Sequence, residues 1–159
     1  MWAFRLNRKS HRNTACSGEG SAVHPGRWNN SGIKMLYASE HLSLALLELW
    51  VNLPTAQLKK IEADYEVFPI EIVDDSIIHC VGVSFLPPDW RDSSQPTSTR
   101  ALGTQWMQEK LYPVIGVPSA VVASEFNFLI NPEMLPHLSI RIDPHKQLFV
   151  DDRLLRTLK

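Results

Sequence analysis

Met35-Leu36-Tyr37-Ala38-Ser39, followed without a break by Glu40-His41-Leu42-Ser43-Leu44-Ala45-Leu46-Leu47-Glu48-Leu49-Trp50-Val51-Asn52-Leu53, is the stretch on which the fold turns. The first four residues read as a short strand that ends at Ser39, a residue type favoured at helix N-caps. From Glu40 to Asn52 the positions Leu42, Ala45, Leu46, Leu49 and Leu53 follow the i, i+3, i+4, i+7 stripe of a helix face. Leu44, Leu47 and Val51 fill much of the other side, so the spacing predicts a helix that is largely buried. Glu48 sits in the middle of it with no Lys or Arg three or four residues away. Burying an unpaired carboxylate costs several kcal/mol, so this residue either meets a distant partner, carries chemistry, or lies on a partly hydrated rim of the helix.

Outward from that stretch, Trp2-Ala3-Phe4-Arg5-Leu6 alternates as a strand, predicted to send Trp2, Phe4 and Leu6 to the core and Arg5 to the opposite face. Lys9 to Pro25 is rich in Ser, Gly, Asn and His without period and reads as a long loop, a length that is uncommon in a domain unless functional. Phe68, Ile70 and Ile72 alternate as a strand that Pro69 places at an edge or bulge. Ser93 to Thr99 is suited to capping a helix that runs to about Leu111. Ala120 to Ala123, Phe126 to Ile130, Ser139 to Ile142 and Leu148 to Val150 read as short strands bounded by Pro, Asn or Asp. Helices fall among strands without a regular strand-helix repeat, which predicts an α+β fold. With 159 residues and no linker, repeat or low-complexity tract, residues 1–159 read as a single domain.

Composition narrows the function. Hydrophobic residues make up 44% and charged residues 21%, which excludes wholesale disorder. The chain has no run of about 18 apolar residues and its start lacks the pattern of a signal peptide, so the expectation is a soluble cytoplasmic protein with no membrane association. Cys16 and Cys80 are too few and too far apart for a disulfide framework or a cysteine-based zinc site. The six histidines (His11, His24, His41, His79, His137 and His145) show no helical ligand spacing, and no metal is expected.

A formal net charge of −1 argues against broad electrostatic binding of nucleic acid. Charge is uneven, however. Arg5, Arg8, Lys9, Arg12, Arg27 and Lys34 against Glu19 leave residues 1–34 at +5 and the rest of the chain at −6. Arg8, Lys9 and Arg12 read as a solvated loop; Arg5 and Arg27 suit a compact anion such as pyrophosphate. Beside Arg27, Trp28 is placed to pack its stem, although an Arg-Trp pair by itself is more often a surface contact. Tyr37 is either a core tyrosine or a ring that stacks on a planar ligand. Ser119 has no Gly-x-Ser-x-Gly elbow around it, and turn capping accounts for Asn127 and Asn131.

In order, Arg5, Gly18-Glu19-Gly20, Gly26-Arg27-Trp28-Asn29, Tyr37-Ala38-Ser39, Leu44-Ala45-Leu46-Leu47-Glu48, Pro118-Ser119-Ala120 and Asn127-Phe128-Leu129-Ile130-Asn131-Pro132 resemble the RES-domain family, bacterial toxins named for an Arg, a Glu and a Ser. The resemblance runs from Trp2 to about Val150. It implies an ADP-ribosyltransferase-like fold and a toxin that consumes NAD until an antitoxin with an Xre-type helix-turn-helix domain neutralises it. A homodimer within that complex is compatible with the resemblance.

By motif position the active-site residues would be Arg27, Tyr37, Glu48 and Ser119, with Arg5 and Asn127 as further NAD-binding candidates. Glu48 would stabilise the oxocarbenium-like sugar, and Arg27 with Arg5 would hold the pyrophosphate. Tyr37 would face the nicotinamide or ribose, and Ser119 would position the nicotinamide end. NAD is then substrate and no metal is needed. The chain departs from the pattern in its long basic loop after Arg5 and in Asn52, where many members carry His. The alternatives are a protein ADP-ribosyltransferase, a ribonuclease toxin and a non-catalytic module that binds NAD without cleaving it.

Overall fold

The structure, a computed structural model, describes residues 1–135 and 140–156. Strand β1 (Trp2–Arg8) is followed by a 3-10 segment (Lys9–Thr14) and the short helix α1 (Glu19–Val23). Strand β2 (Leu36–Ser39) leads into α2 (Leu42–Asn52). Two single-turn helices, α3 (Thr55–Leu58) and α4 (Ile61–Asp64), then precede β3 (Tyr65–Ile72). The rest comprises β4 (Ile78–Cys80), α5 (Thr97–Glu109), β5 (Val114–Pro118), β6 (Phe126–Ile130), β7 (Ile140–Ile142), β8 (Lys146–Gln147) and α6 (Asp152–Arg156). The strands form one sheet in the order β4-β5-β6-β2-β1-β3-β7, with β8 also paired to β3. Among the described strands β4 and β5 run parallel and every other pair is antiparallel. This is the mixed α+β domain that the irregular alternation of helices and strands predicted. No helix among the described residues is long and apolar enough to cross a membrane.

β1 lies inside the sheet, between β2 and β3, and both its faces are covered. Ala3 is fully buried with Leu36, Ala38, Ile70 and Phe128. On the other face Phe4 and Leu6 join Leu42, Leu46 and Leu49 of α2 over Ile61, Tyr65 and Val67. Trp2, expected in the core, is 44% exposed because it begins the strand at the rim of the sheet. Pro69 sits within β3, whose partner on one side changes from β8 to β7. The Pro69 carbonyl accepts from the Asp143 N–H at 3.0 Å, so the edge of Pro69 that lacks a donor faces the turn between those two short strands.

Several elements differ from the sequence reading. α2 begins at Leu42 after His41, without a side-chain cap from Ser39, whose hydroxyl is used elsewhere. Only Leu44 and Ala45 of that helix are fully buried, and Leu47 and Val51 are exposed, because a single helix face reaches the sheet. The expected strand at 120–123 is a turn. Ser119 Oγ accepts from the N–H groups of Val121 and Val122, both at 3.0 Å, and this local bonding displaces ladder pairing. The strand there is β5, one segment earlier. Leu148 and Val150 are buried but unpaired as a strand, and the Val150 N–H goes to the Glu62 carboxylate. Of the expected strand at 139–142, Ser139 lies outside the described residues.

The basic segment that starts at the end of β1 is solvated at Arg12, as expected, yet its side chains are also tied to the fold. Lys9 Nζ donates to the Glu62 carbonyl at 2.8 Å, and the Arg8 guanidinium lies 5.1 Å from the Tyr65 ring centroid. Arg12 grips the buried Glu66 carboxylate through Nε and Nη2, the latter at 2.7 Å. That hydrogen bond, more than the burial that opposes it, holds the Glu66 carboxyl below the usual glutamate range.

A carboxyl depressed in the folded state contributes stability above its unfolded value, about 4.3, and loses that contribution as pH falls through the folded value. Arg12→Ala is expected to lower Tm near neutrality, with the gap to wild type closing on acidification below about pH 4. Thermal unfolding across that range is the measurement; a gap independent of pH would contradict it.

Candidate active site

The apolar stripe that packs α2 on the sheet carries Glu48 with it, over the ends of β5 and β6. Ser119 Oγ donates to Glu48 Oε1 at 2.8 Å, and Asn127 Nδ2 donates to the same oxygen at 2.5 Å. The distant partner that local sequence lacked is thus a pair of neutral donors about 70 to 80 positions later. Among the described residues no hydrogen bond reaches Oε2. Asn127 is placed by strand alternation: Phe128 enters the core, and Asn127 beside it turns to the other face. The Asn127 amide is held from behind, where Ser39 Oγ donates to its Oδ1 at 2.7 Å across the β2–β6 ladder.

Facing Glu48 is the loop that carries Arg27. Arg27 Nη1 donates to the carbonyls of Trp90 at 2.8 Å and Asp92 at 2.7 Å. Partial burial lowers the Arg27 pKa, and the charge of Glu48 is the largest influence that opposes this. Tyr37 donates its hydroxyl to Asn29 Oδ1 at 2.7 Å and accepts the Trp28 N–H at 3.1 Å. Burial pushes the phenol far above its ordinary value, so Tyr37 stays protonated at any physiological pH. Arg5 lies beneath, with Nε on the Ala15 carbonyl at 2.8 Å, Nη1 on the Tyr37 carbonyl at 3.0 Å and Nη2 on Asn7 Oδ1 at 3.2 Å.

These groups surround an open cavity of about 900 Å³. Arg5, Arg27, Tyr37, Glu48 and Asn127 all line it, so five of the six residues singled out from sequence come together. Ser119 is fully buried, and its hydroxyl serves Glu48 and the turn after β5. It reaches the cavity through the carboxylate and not through its own surface.

Other participants carried no strong sequence signal. Asn29 is fully buried and organises the loop: Oδ1 accepts from Gly26 N–H and Tyr37, while Nδ2 donates to the Ser21, Asn30 and Ile33 carbonyls. Arg91, Ser93 and Gln95 add a polar rim. Gly18, at φ 73°, precedes α1, whose Gly20 and Ser21 lie on the cavity wall.

The RES domain family matches residues 3–151. The chain belongs to the RES-domain family. This RES domain is 32% identical over 132 residues to "Toxin Res" of Yersinia enterocolitica, covering 83% of this chain and 84% of that protein. It is 28% identical to the "Prs ADP-ribosylating toxin" of a Sphingobium species, over 98% of this chain and 96% of that one. Its fold matches a chain of the M. tuberculosis MbcT-MbcA toxin-antitoxin complex with a TM-score of 0.74 at 17% identity, covering 99% of this chain and 87% of that chain.

The Arg27 loop of this RES domain is braced by α5. Trp28 and Trp106 stack at 5.8 Å, the Asn30 N–H reaches Thr104 Oγ1 at 2.9 Å, and the Gly103 backbone abuts Trp28. A Cβ at position 103 would stand 2.0 Å from the Trp28 carbonyl oxygen. Ala is favoured over Gly in a helix by about 1 kcal/mol, but a clash with backbone costs about 1–3 kcal/mol and here prevails. Gly103→Ala is therefore expected to lower Tm by a few degrees, read by thermal unfolding; an unchanged or raised Tm would contradict this packing.

Proposed function

We propose that this RES domain is the toxin of a toxin-antitoxin pair and acts on NAD by breaking the bond between nicotinamide and ribose. The observation that carries the reading is a carboxylate, fixed on one oxygen by Ser119 and Asn127, in an open cavity of about 900 Å³ with a guanidinium on the facing loop. That volume is toward the upper end of ordinary ligand sites, about 300–1,000 Å³, as an extended dinucleotide requires. A partner antitoxin fits the toxin-antitoxin complex that shares this fold, and one with an Xre-type helix-turn-helix domain is the partner the family resemblance implies.

In the proposed reaction the glycosidic C–N bond breaks and its electron pair goes to the pyridinium nitrogen. Nicotinamide then leaves neutral, without a general acid. Positive charge grows on the ribose as the bond opens. A carboxylate beside it stabilises that charge directly, or by accepting a hydrogen bond from a ribose hydroxyl. Glu48 Oε2 is the oxygen available for this, since Oε1 is already engaged. Arg27 would bind the pyrophosphate, since Nη1 alone is committed to the Trp90 and Asp92 carbonyls. Tyr37 would offer its ring edge to the nicotinamide end. Arg5 would support that wall through Tyr37, and Ser119 would act through Glu48. Water or inorganic phosphate then bonds to the sugar carbon and yields its proton to solvent.

A second acceptor is favoured by one finding: the Sphingobium relative is named for ADP-ribosylation of a target, Prs. A side chain of a target protein would then capture the same sugar cation. Incubation of the chain with labelled NAD, phosphate and lysate separates free ADP-ribose, its phosphate ester and labelled protein.

Glu48→Gln keeps the shape and removes the charge, so nicotinamide release is expected to fall by at least about a hundredfold while the variant melts as a folded protein. Wild-type turnover in that variant would remove Glu48 from the chemistry. Arg27→Ala is expected to weaken NAD binding about tenfold or more by titration calorimetry, measured in the Glu48→Gln background to prevent turnover. Unchanged affinity would exclude the pyrophosphate role.

A further inference from the structure

Asn127 and Glu48 meet through a donor that has a choice of orientation. A carboxamide has an oxygen end and an NH2 end, and a carboxylate accepts only the second. Rotated by half a turn, Asn127 would set its oxygen against Glu48 Oε1, a repulsive contact. What occupies the far end of the amide therefore matters. There Ser39 Oγ lies 2.7 Å from Asn127 Oδ1, supplied by the directly paired residue of β2. Ser39 is 5% exposed, and with Asn127 it borders the cavity that Glu48 lines. The hydroxyl is also the group that the sequence assigned to the helix cap and that α2 leaves unused for capping.

We infer that Ser39 is a positioning residue for Glu48: the carboxylate selects the NH2 end of Asn127, and Ser39, by donating to Oδ1, anchors the far end of that amide, so that Glu48 Oε1 stays engaged and Oε2 is the oxygen presented to substrate. The chain Ser39 to Asn127 to Glu48 then works with the direct bond from Ser119, and the carboxylate is held from two strands at once. Without Ser39 the amide is anchored at one end and its half-buried oxygen loses its side-chain donor, a loss felt at Glu48 through Asn127. The inference rests on the NAD-cleaving reading for its kinetic consequence but not for its geometry.

The test has a kinetic arm and a spectroscopic arm. Ser39→Ala is expected to lower kcat for nicotinamide release about tenfold with KM within about twofold, and Ser39→Thr, which keeps the hydroxyl, to restore most of it. Because Ser39 acts through Asn127, adding Ser39→Ala to Asn127→Ala is expected to cause no further loss. An undiminished kcat in Ser39→Ala, or an equal tenfold loss in the Asn127→Ala background, would overturn the inference. Should Ser39→Ala fail to fold, Ser39→Cys, similar in size and a poor donor, takes its place with the same expectations.

In the spectroscopic arm, the Asn127 side-chain amide resonances are expected to shift in Ser39→Ala and in Glu48→Gln, and to return toward wild type in Ser39→Thr. Resonances unmoved in Ser39→Ala would overturn the inference as well. If the wild-type chain releases no nicotinamide, the proposed function fails, and the spectroscopic arm decides the positioning role by itself.

Discussion

An acidic side chain on an otherwise apolar helix needs hydrogen-bond donors, and the way this chain supplies them to Glu48 organises the site around it. The donors are neutral: a hydroxyl from the end of β5 and a carboxamide from β6. A Lys or Arg in their place would form an ion pair and neutralise the carboxylate's field. Two neutral donors on one oxygen satisfy the group without pairing its charge, as the proposed reaction requires. The same bonds tie α2 to two strands, so the helix that buries Leu44 and Ala45 is also the arm that aims the acid.

The facing wall follows a similar logic with the polarity reversed. Arg27 is held by backbone carbonyls, which orient a guanidinium without cancelling its charge. Its loop is fixed by Asn29, whose amide gathers one hydroxyl and four backbone groups, and by α5 pressing Gly103 and Trp106 against Trp28. Tyr37 joins the two halves of the site, since its hydroxyl serves the Arg27 loop and its carbonyl anchors Arg5 on β1. Carboxylate and guanidinium thereby line one cavity, each hydrogen-bonded by uncharged partners.

Much of this was legible in the residues. The strands around Phe4, Tyr37, Ile70 and Phe128 and the helix after Pro96 follow from period and punctuation, because each buries a simple alternating or helical stripe. Glu48 was conspicuous through the absence of a local partner. What escaped were bonds made by small polar side chains across distant segments. Residues 120 to 123 looked like a strand, and the Ser119 hydroxyl instead closes a turn there. Ser39 looked like a helix cap and bonds a carboxamide 88 positions away. Asn29 sat within a noted motif, but nothing in its neighbours marks it as the centre of a loop. Leu47 and Val51 were read as buried because composition counts apolar residues on a helix without saying how many faces meet a partner. The ties of the basic run at Lys9 and Arg12 escaped because the Glu62 carbonyl and Glu66 lie more than 50 positions on.

The proposed reaction requires the ribose of NAD to lie against Glu48. A crystal structure of the wild-type chain with a non-cleavable carbocyclic analogue of NAD tests it. The nicotinamide-bearing ring carbon is expected within about 3.5 Å of Glu48 Oε2 and the pyrophosphate on the Arg27 guanidinium. An analogue bound with its adenine end at Glu48, or bound outside this cavity, would contradict it.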